Sequence, residues 1–495
     1  MDEYCEAEEY ADVLRLAQSM EGQTGAWSYL NRIPLDLLVQ HTDLTVQCFL
    51  YNLANLDSER CRQISRRYQE ECNDPGLLQV IQALDVYLNA ENGIQPSMRV
   101  LPVDLLKNVG LGPVSQAMIL VGNSTIQMEK MLYDEAEYGI ELAVQTCSGA
   151  NMFVTFFAYN QLAQVYEETG NLNKSLSCYA QTFRFCNAKA MISGIKINYF
   201  FGLAGVLMRR MELLEAGENI EKAASILRNQ RYHLDIADIT LQFHQSELLL
   251  LSGNIAEGQA GFEKLLNTYP TLSLFNLGRL VWEFACEGCL DPSMSSTFLR
   301  ELGTDRRQYL QPFLRLLRAR LLAGQGKEAE AMEEVDDVLA ISRLKKNKLR
   351  LVEAGLLKIH LLTVGKKLTS EQREVMNLLR EAIHYASADC ILLPFYLERS
   401  VLLVPLSAFS SADRSMSKGE LTFLRRVWQV CGYDGICGRL PEQLSVREQE
   451  VLEELALGIT NKEIADRLCI SLATVKTHVL SIFGKLGVSS RLMAV

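Results

Sequence analysis

The residues best placed to do chemistry lie between Thr460 and Ser481, in the stretch TNKEIADRLCISLATVKTHVLS. The chemistry these residue types allow is recognition of a polyanion, not the making of bonds. Thr460 and Glu463 have the spacing of a capping box, which opens a short helix with Ile464, Ala465 and Leu468 turned inward. At its start Thr460, Asn461 and Lys462 offer backbone N–H groups and one positive charge, a clamp suited to phosphate. Ser471 can cap a following helix after a turn of only a few residues. In that helix Val475, Val479, Ile482, Phe483 and Leu486 recur at helical spacing and must face a core, leaving Ala473, Lys476, Thr477, Leu480 and Gly484 on the outer side. A short helix, a tight turn and an exposed second helix define a helix-turn-helix. Its second helix fits the major groove, where short or basic side chains reach base edges.

Local charge has the polarity this geometry requires. From Thr460 to Val495, Lys462, Arg467, Lys476, Lys485 and Arg491 oppose only Glu463 and Asp466, a net charge of +3. From Pro441 to Ile459 one Arg opposes five Glu, a net charge of -4. The whole chain holds 49 Lys+Arg against 60 Asp+Glu, so no global field draws it onto DNA and contact must come from this local element.

Other candidate chemistry is thin. Cys286 and Cys289 form a lone C-x-x-C with no matching second pair, so they read as structural, and Cys469 reads as a small hydrophobe in the turn. His41, His233, His244, His360 and His384 are dispersed and form no catalytic constellation, while His478 flanks the DNA-facing side. No G-x-x-x-x-G-K-[ST] occurs; Gly326-Lys327-Glu328 and Gly365-Lys366-Lys367 lack its flanking residues. The expectation is a protein without catalysis, cofactor or metal. The Tyr159, Tyr166 and Tyr179 stripe reads as packing. The basic run from Arg343 to Arg350 reads as a solvated helix connection and is the second candidate for nucleic acid.

The elements that position the module are helical. Ser445 with Glu448 would cap a helix holding Val451, Leu452 and Leu455 on one face, with Gly458 at its end. Upstream, only 11 prolines interrupt 495 residues, and apolar residues recur at three and four positions without sustained alternation, which predicts an all-α chain. The clearest repeat unit spans Ala158 to Thr182. In it Leu162, Ala163 and Tyr166 share a face, Gly170-Asn171 turns the chain, and Ser175, Tyr179 and Thr182 face back from a second helix. Equivalent small residues fall at Ala136, Ala216, Gly258 and Ala331, with a degenerate unit expected near 270–304. Such helix pairs stack into a curved superhelix whose concave surface serves binding. The expected division is 1–410 helical repeats, 411–440 loop and linker, and 441–495 helix-turn-helix.

Thirteen scattered Cys and an acidic start, MDEYCEAEEYAD, point to a reducing cytosol, and Ile391 to Phe409 is too interrupted for a membrane span. A cytoplasmic protein with no membrane partner is expected.

These residues resemble the LuxR-type helix-turn-helix family. The resemblance rests on L-S-x-R-E-x-E-V-L from Leu444, N-K-E-I-A from Asn461, T-V-K-T-H from Thr474 and G-K-L-G-V from Gly484. The preceding repeats, which resemble tetratricopeptide (TPR) units, together with LLPFYLERS from Leu392, are similar to the MalT-type regulators. Those carry a TPR-like superhelix before the same domain, and also an ATP-binding domain for which no P-loop is found here. The resemblance implies Lys476 and Thr477 toward the major groove, Thr474 and His478 at backbone or groove edges, and Thr460, Asn461 and Lys462 on phosphates, with Ser471 also in the DNA-binding set. Leu480 and Ser481 belong to the same set but depart from the family, which often has a polar or basic residue and an Asn at these positions. The implied function is a sequence-specific transcriptional regulator binding double-stranded promoter DNA as a homo-oligomer, with RNA polymerase and an effector or protein on the repeats as further partners. The alternative is a TPR-like scaffold or antagonist without specific DNA binding.

Overall fold

The computed structural model describes residues 30–54, 57–71, 78, 100–102, 111–147, 152–186, 193–229, 235–268, 311–363, 372–407, 416–433, 446–456, 459–468 and 470–486. These residues are helical with no strand among them, so the fold is all-α as expected. The chain divides into two compact units, Met1–Leu361 and Leu362–Val495. The division falls inside a helix, earlier than residue 410.

In the first unit a small cluster of α1 (Leu35–Leu38), α2 (Thr42–Ala54) and α3 (Ser58–Glu71) leads into helix pairs. These are α4 (Pro113–Glu129) with α5 (Tyr133–Thr146), α6 (Met152–Glu168) with α7 (Leu172–Cys186), α8 (Ser193–Arg209) with α9 (Leu213–Arg228), α10 (Asp235–Leu251) with α11 (Ile255–Thr268), and α12 (Gln311–Gly324) with α13 (Glu328–Leu344). From α4 to α11, each pair packs on the next. The first helices α4, α6, α8 and α10 touch in succession, and the second helix of each pair touches the first helix of the following one. The unit read around Ala158 is α6–α7: Leu162, Ala163, Tyr166, Ser175, Tyr179 and Thr182 are all buried, and the Ser175 hydroxyl donates to the Ala163 carbonyl at 2.9 Å. Ala136, Ala216 and Ala331 are likewise buried at the close approach of their pairs. The unit expected near 270–304 lies outside the described residues.

One backbone device recurs at the bends. The second residue after the first helix has positive φ: Met131 (54°), Gly170 (78°), Met211 (57°), Gly253 (87°) and Gly326 (75°). The next amide then reaches back to close the helix, as Asn171 does to Tyr166 O (2.7 Å), Leu132 to Gln127 O (2.8 Å) and Glu212 to Leu207 O (2.9 Å). This is the Schellman closure, which satisfies carbonyls that the helix end would otherwise orphan. Glycine carries it without steric cost; Met131 and Met211 adopt the same backbone against the Cβ clash.

Gly258 illustrates how tightly the pairs approach. A Cβ there would lie 2.6 Å from Leu250 Cγ and 2.9 Å from Ser246 O. Gly258→Ala is therefore expected to lower stability by about 1–3 kcal/mol from overpacking, more than the roughly 0.5–1 kcal/mol that alanine gains over glycine inside a helix. A fall in the urea midpoint at unchanged slope checks it, and a rise would show that the pair can separate without penalty.

The run from Arg343 to Arg350 is not uniformly solvated. Arg343 and Lys346 are exposed, but Arg350, on α14 (Lys348–Thr363), is buried. Its guanidinium grips Glu168 at the end of α6, with Nη2 2.9 Å from both carboxylate oxygens and Nε 3.1 Å from one. Nη1 donates to Glu353 at 2.7 Å, and the guanidinium lies 5.2 Å from the Phe313 ring centroid. Beside it the Lys348 amide donates to Thr169 O at 3.0 Å and the Asn347 side chain to the Tyr133 hydroxyl at 3.3 Å. A second ion pair, Arg209 to Glu167 at 2.9 Å, sits one residue away on α6. The start of α14 is thus locked to residues 182 positions earlier.

In the second unit α15 (Gln372–Ser387), α16 (Leu393–Leu397), α17 (Arg399–Ser407) and α18 (Lys418–Val430) pack together. The Phe395 and Phe423 rings meet edge to face there. No helix among the described residues is long and apolar enough to cross a membrane. Cys48, Cys61, Cys147, Cys178, Cys390 and Cys431 are buried, and burial pushes the Cys48, Cys178 and Cys431 thiols up to about 12, far from a nucleophilic state. Cys286, Cys289 and Cys469 lie outside the described residues.

Candidate nucleic-acid interface

Three helices complete the second unit: α19 (Val446–Ala456), α20 (Asn461–Arg467) and α21 (Leu472–Leu486), each touching the other two. Their core is Val451 and Leu455 from α19, Ile464 and Ala465 from α20, and Val475 and Val479 from α21, closed by Ile459, Leu468 and Ile470. Those are the inward positions expected from spacing. The side chains of Leu452, Ile482, Phe483 and Leu486 lie outside the described residues, as do Ser445 and Gly458.

Both helix starts are capped by the residues whose types require it. The Thr460 hydroxyl accepts from the Glu463 amide at 3.4 Å, and the Glu463 carboxylate accepts from the Thr460 amide at 2.7 Å and from its hydroxyl at 2.8 Å. These bonds, the backbone one foremost, hold the Glu463 carboxyl below its ordinary pKa. They also engage the Thr460 amide, which the sequence had offered to phosphate, so the N–H groups left to the helix start are those of Asn461 and Lys462. At α21 the Thr474 amide donates to Ser471 Oγ at 3.0 Å, and the two hydroxyls are 2.7 Å apart. Ser471 is exposed and Thr474 half-buried, both occupied in the cap.

The outer side of α21 carries Lys476, Thr477 and Leu480, all exposed, with Leu480 at 72%. His478 is half-buried on the flank, and Lys462 is exposed at the start of α20 beside half-buried Asn461. Ser481 does not join that outer side: it is half-buried, and its hydroxyl donates to Glu448 Oε1 at 2.6 Å.

Two residues that spacing did not single out for this purpose frame the module. Glu448, buried on α19, holds α21 through Ser481. Its neighbour Arg447 donates from Nη2 to the Leu468 carbonyl at 2.5 Å, satisfying the end of α20 where the turn begins. Arg467 on α20 pairs with Glu454 on α19 at 3.0 Å, so this cation is turned back toward the module. The only signal in the sequence was the capping pattern itself, which assigned Glu448 to its own helix start. Among the described residues no cluster of three His, Cys, Asp or Glu is placed to hold a metal.

A compact trihelical unit with a capped turn and an exposed second helix has the geometry of a helix-turn-helix domain. Residues 442–495 match the family of bacterial regulatory proteins, luxR family. The chain is similar to the nitrate/nitrite response regulator protein NarP of Escherichia coli, 42% identical over 86 residues, which is 17% of this chain and 40% of that protein. It is similar also to the transcriptional regulatory protein LiaR of Bacillus subtilis, 35% identical over 102 residues, 21% of this chain and 48% of that one. The response regulator protein VraR of Staphylococcus aureus is 39% identical over 99 residues, 19% of this chain and 47% of its own. The chain spans less than half the length of each of these relatives.

Proposed function

We propose that the chain is a transcriptional regulator that binds double-stranded promoter DNA in a sequence-specific way, with α21 in the major groove. The observation that carries this reading is the capped α20–turn–α21 unit, whose core side is filled and whose outer side presents Lys476, Thr477 and Leu480. Lys476 and Thr477 face base edges, Ser471, Thr474 and His478 lie at the groove margin, and Lys462 with the Asn461 amide meets a phosphate. The luxR-family match and the regulators among the relatives support it.

The helix pairs upstream act as the arm of a MalT-like design and engage an effector or a protein partner. A module with a net charge of +3 on its DNA-facing half makes few phosphate contacts, so useful affinity calls for several copies on one site. The regulator works as a homo-oligomer in the cytoplasm, with RNA polymerase as a partner and no catalysis of its own.

Selection of genomic fragments by the purified chain at physiological salt tests this. Recovery of a shared motif is the expected result. No enrichment over background would overturn DNA reading and favour the scaffold alternative, which the chain's overall charge of -11 otherwise suits.

A further inference from the structure

We infer that Leu480 reads the methyl group of a thymine in the target site. The inference rests on the DNA-binding reading above and adds which base the apolar position selects. Leu480 is 72% exposed in a helix whose neighbouring outward residues are polar. At about 100° per residue, Leu480 lies roughly 40° from Lys476 on one side and roughly 60° from Thr477 on the other. It lies on the outward side between those two residues, about 140° from Val475 and about 100° from Val479, where a residue on a groove-bound helix meets base edges.

The major groove offers one apolar group, the C5-methyl of thymine, and a branched aliphatic tip is its natural complement. A protein surface fits less well as the occupant. Among the described side chains of α21 the other large exposed apolar residue is Leu472, eight positions and about 12 Å away along the axis. Two such separated tips do not make the apolar core of a stable protein interface. Lys476 stands one turn before Leu480, about 6 Å along the axis, within two base-pair steps. Lysine is suited to the O6 and N7 acceptors of guanine. The target word therefore pairs a guanine with a thymine in close succession.

Replacing thymine by uracil removes the methyl and nothing else. With the full chain and the selected motif, uracil at that one thymine in a single half-site is expected to weaken binding about fourfold, the worth of one buried methyl-sized group. Leu480→Ala, which changes an exposed position and leaves circular dichroism unaltered, is expected to bind the thymine and uracil duplexes equally. If the parent prefers its motif over scrambled DNA but no uracil substitution matters, the role of Leu480 is overturned while DNA reading stands. A uracil penalty that persists in Leu480→Ala overturns it too, by assigning the methyl to another residue. Failure of the parent to prefer any sequence overturns both readings.

Discussion

Arg350→Met is expected to destabilise the first unit by about 3–5 kcal/mol, the range for removing one partner of a buried ion pair. The guanidinium holds Glu168 with both oxygens, and both side chains are almost wholly withdrawn from water. Without it the Glu168 carboxylate stays in the interior beside Arg209, a cation already engaged with Glu167. Burial already holds the Glu168 carboxyl above its ordinary pKa against the pull of Arg350, and removing that cation raises it further above the unfolded value. The sign follows. A group whose folded pKa is raised contributes stability that is present below the unfolded value and is lost as pH rises through the folded one. The loss in Arg350→Met is therefore expected to be smaller at pH 5 than at pH 8. Replacing both residues, as Arg350→Met with Glu168→Leu, is expected to recover most of the stability, because apolar pairs of similar volume often match a buried ion pair. Chemical denaturation at the two pH values measures all three quantities. Equal stability of the parent and the single variant would mean that α14 is not held to α6 by this pair.

Lys476→Ala with Thr477→Ala is expected to remove most of the sequence preference while leaving the fold intact. Both side chains are exposed on α21, so their loss removes no core packing. A base-edge contact is worth about 1–3 kcal/mol of discrimination. Removing both at once corresponds to roughly a hundredfold or greater fall in binding to the selected motif at fixed salt, since each 1.4 kcal/mol is about tenfold. Nonspecific binding should change far less, because phosphate contacts through Lys462 and the start of α20 are untouched. The slope of affinity against salt distinguishes the two parts: Lys462→Ala should reduce it by about one ion and weaken all sequences alike. A double variant that still recovers the motif would place the reading surface elsewhere.

Much of the fold was legible because certain residue types have few alternatives. Thr460 three places before Glu463, and Ser471 before an apolar run, could hardly do other than start helices, and both do. Gly170 marked a bend because only glycine adopts positive φ freely, and Gly253 and Gly326 make the same one. Met131 and Met211 make the same bend and were invisible, since nothing about methionine announces a left-handed backbone. The long-range partners were invisible for a different reason. Arg350 lay in a run of cations that resembled a solvated connection, and only folding brings Glu168 beside it. Ser481 fell among the outward positions by resemblance, yet a hydroxyl on the edge of a helix turns toward whichever acceptor is near, and Glu448 supplies one. Sequence periodicity reports the side a residue occupies; it does not report which polar atom on the neighbouring helix is in reach.

Arg447 and Glu448 are consecutive, and between them they hold the end of α20 and the side of α21. This adjacency decides where the module can be cut for transplantation. A hybrid regulator joined at Thr460, where the helix-turn-helix proper begins, would inherit a turn and a reading helix with neither brace. One joined ahead of Val446 would carry its own alignment with it, so the smallest portable piece is set by the packing and polar contacts of α19 and not by the boundary of the motif.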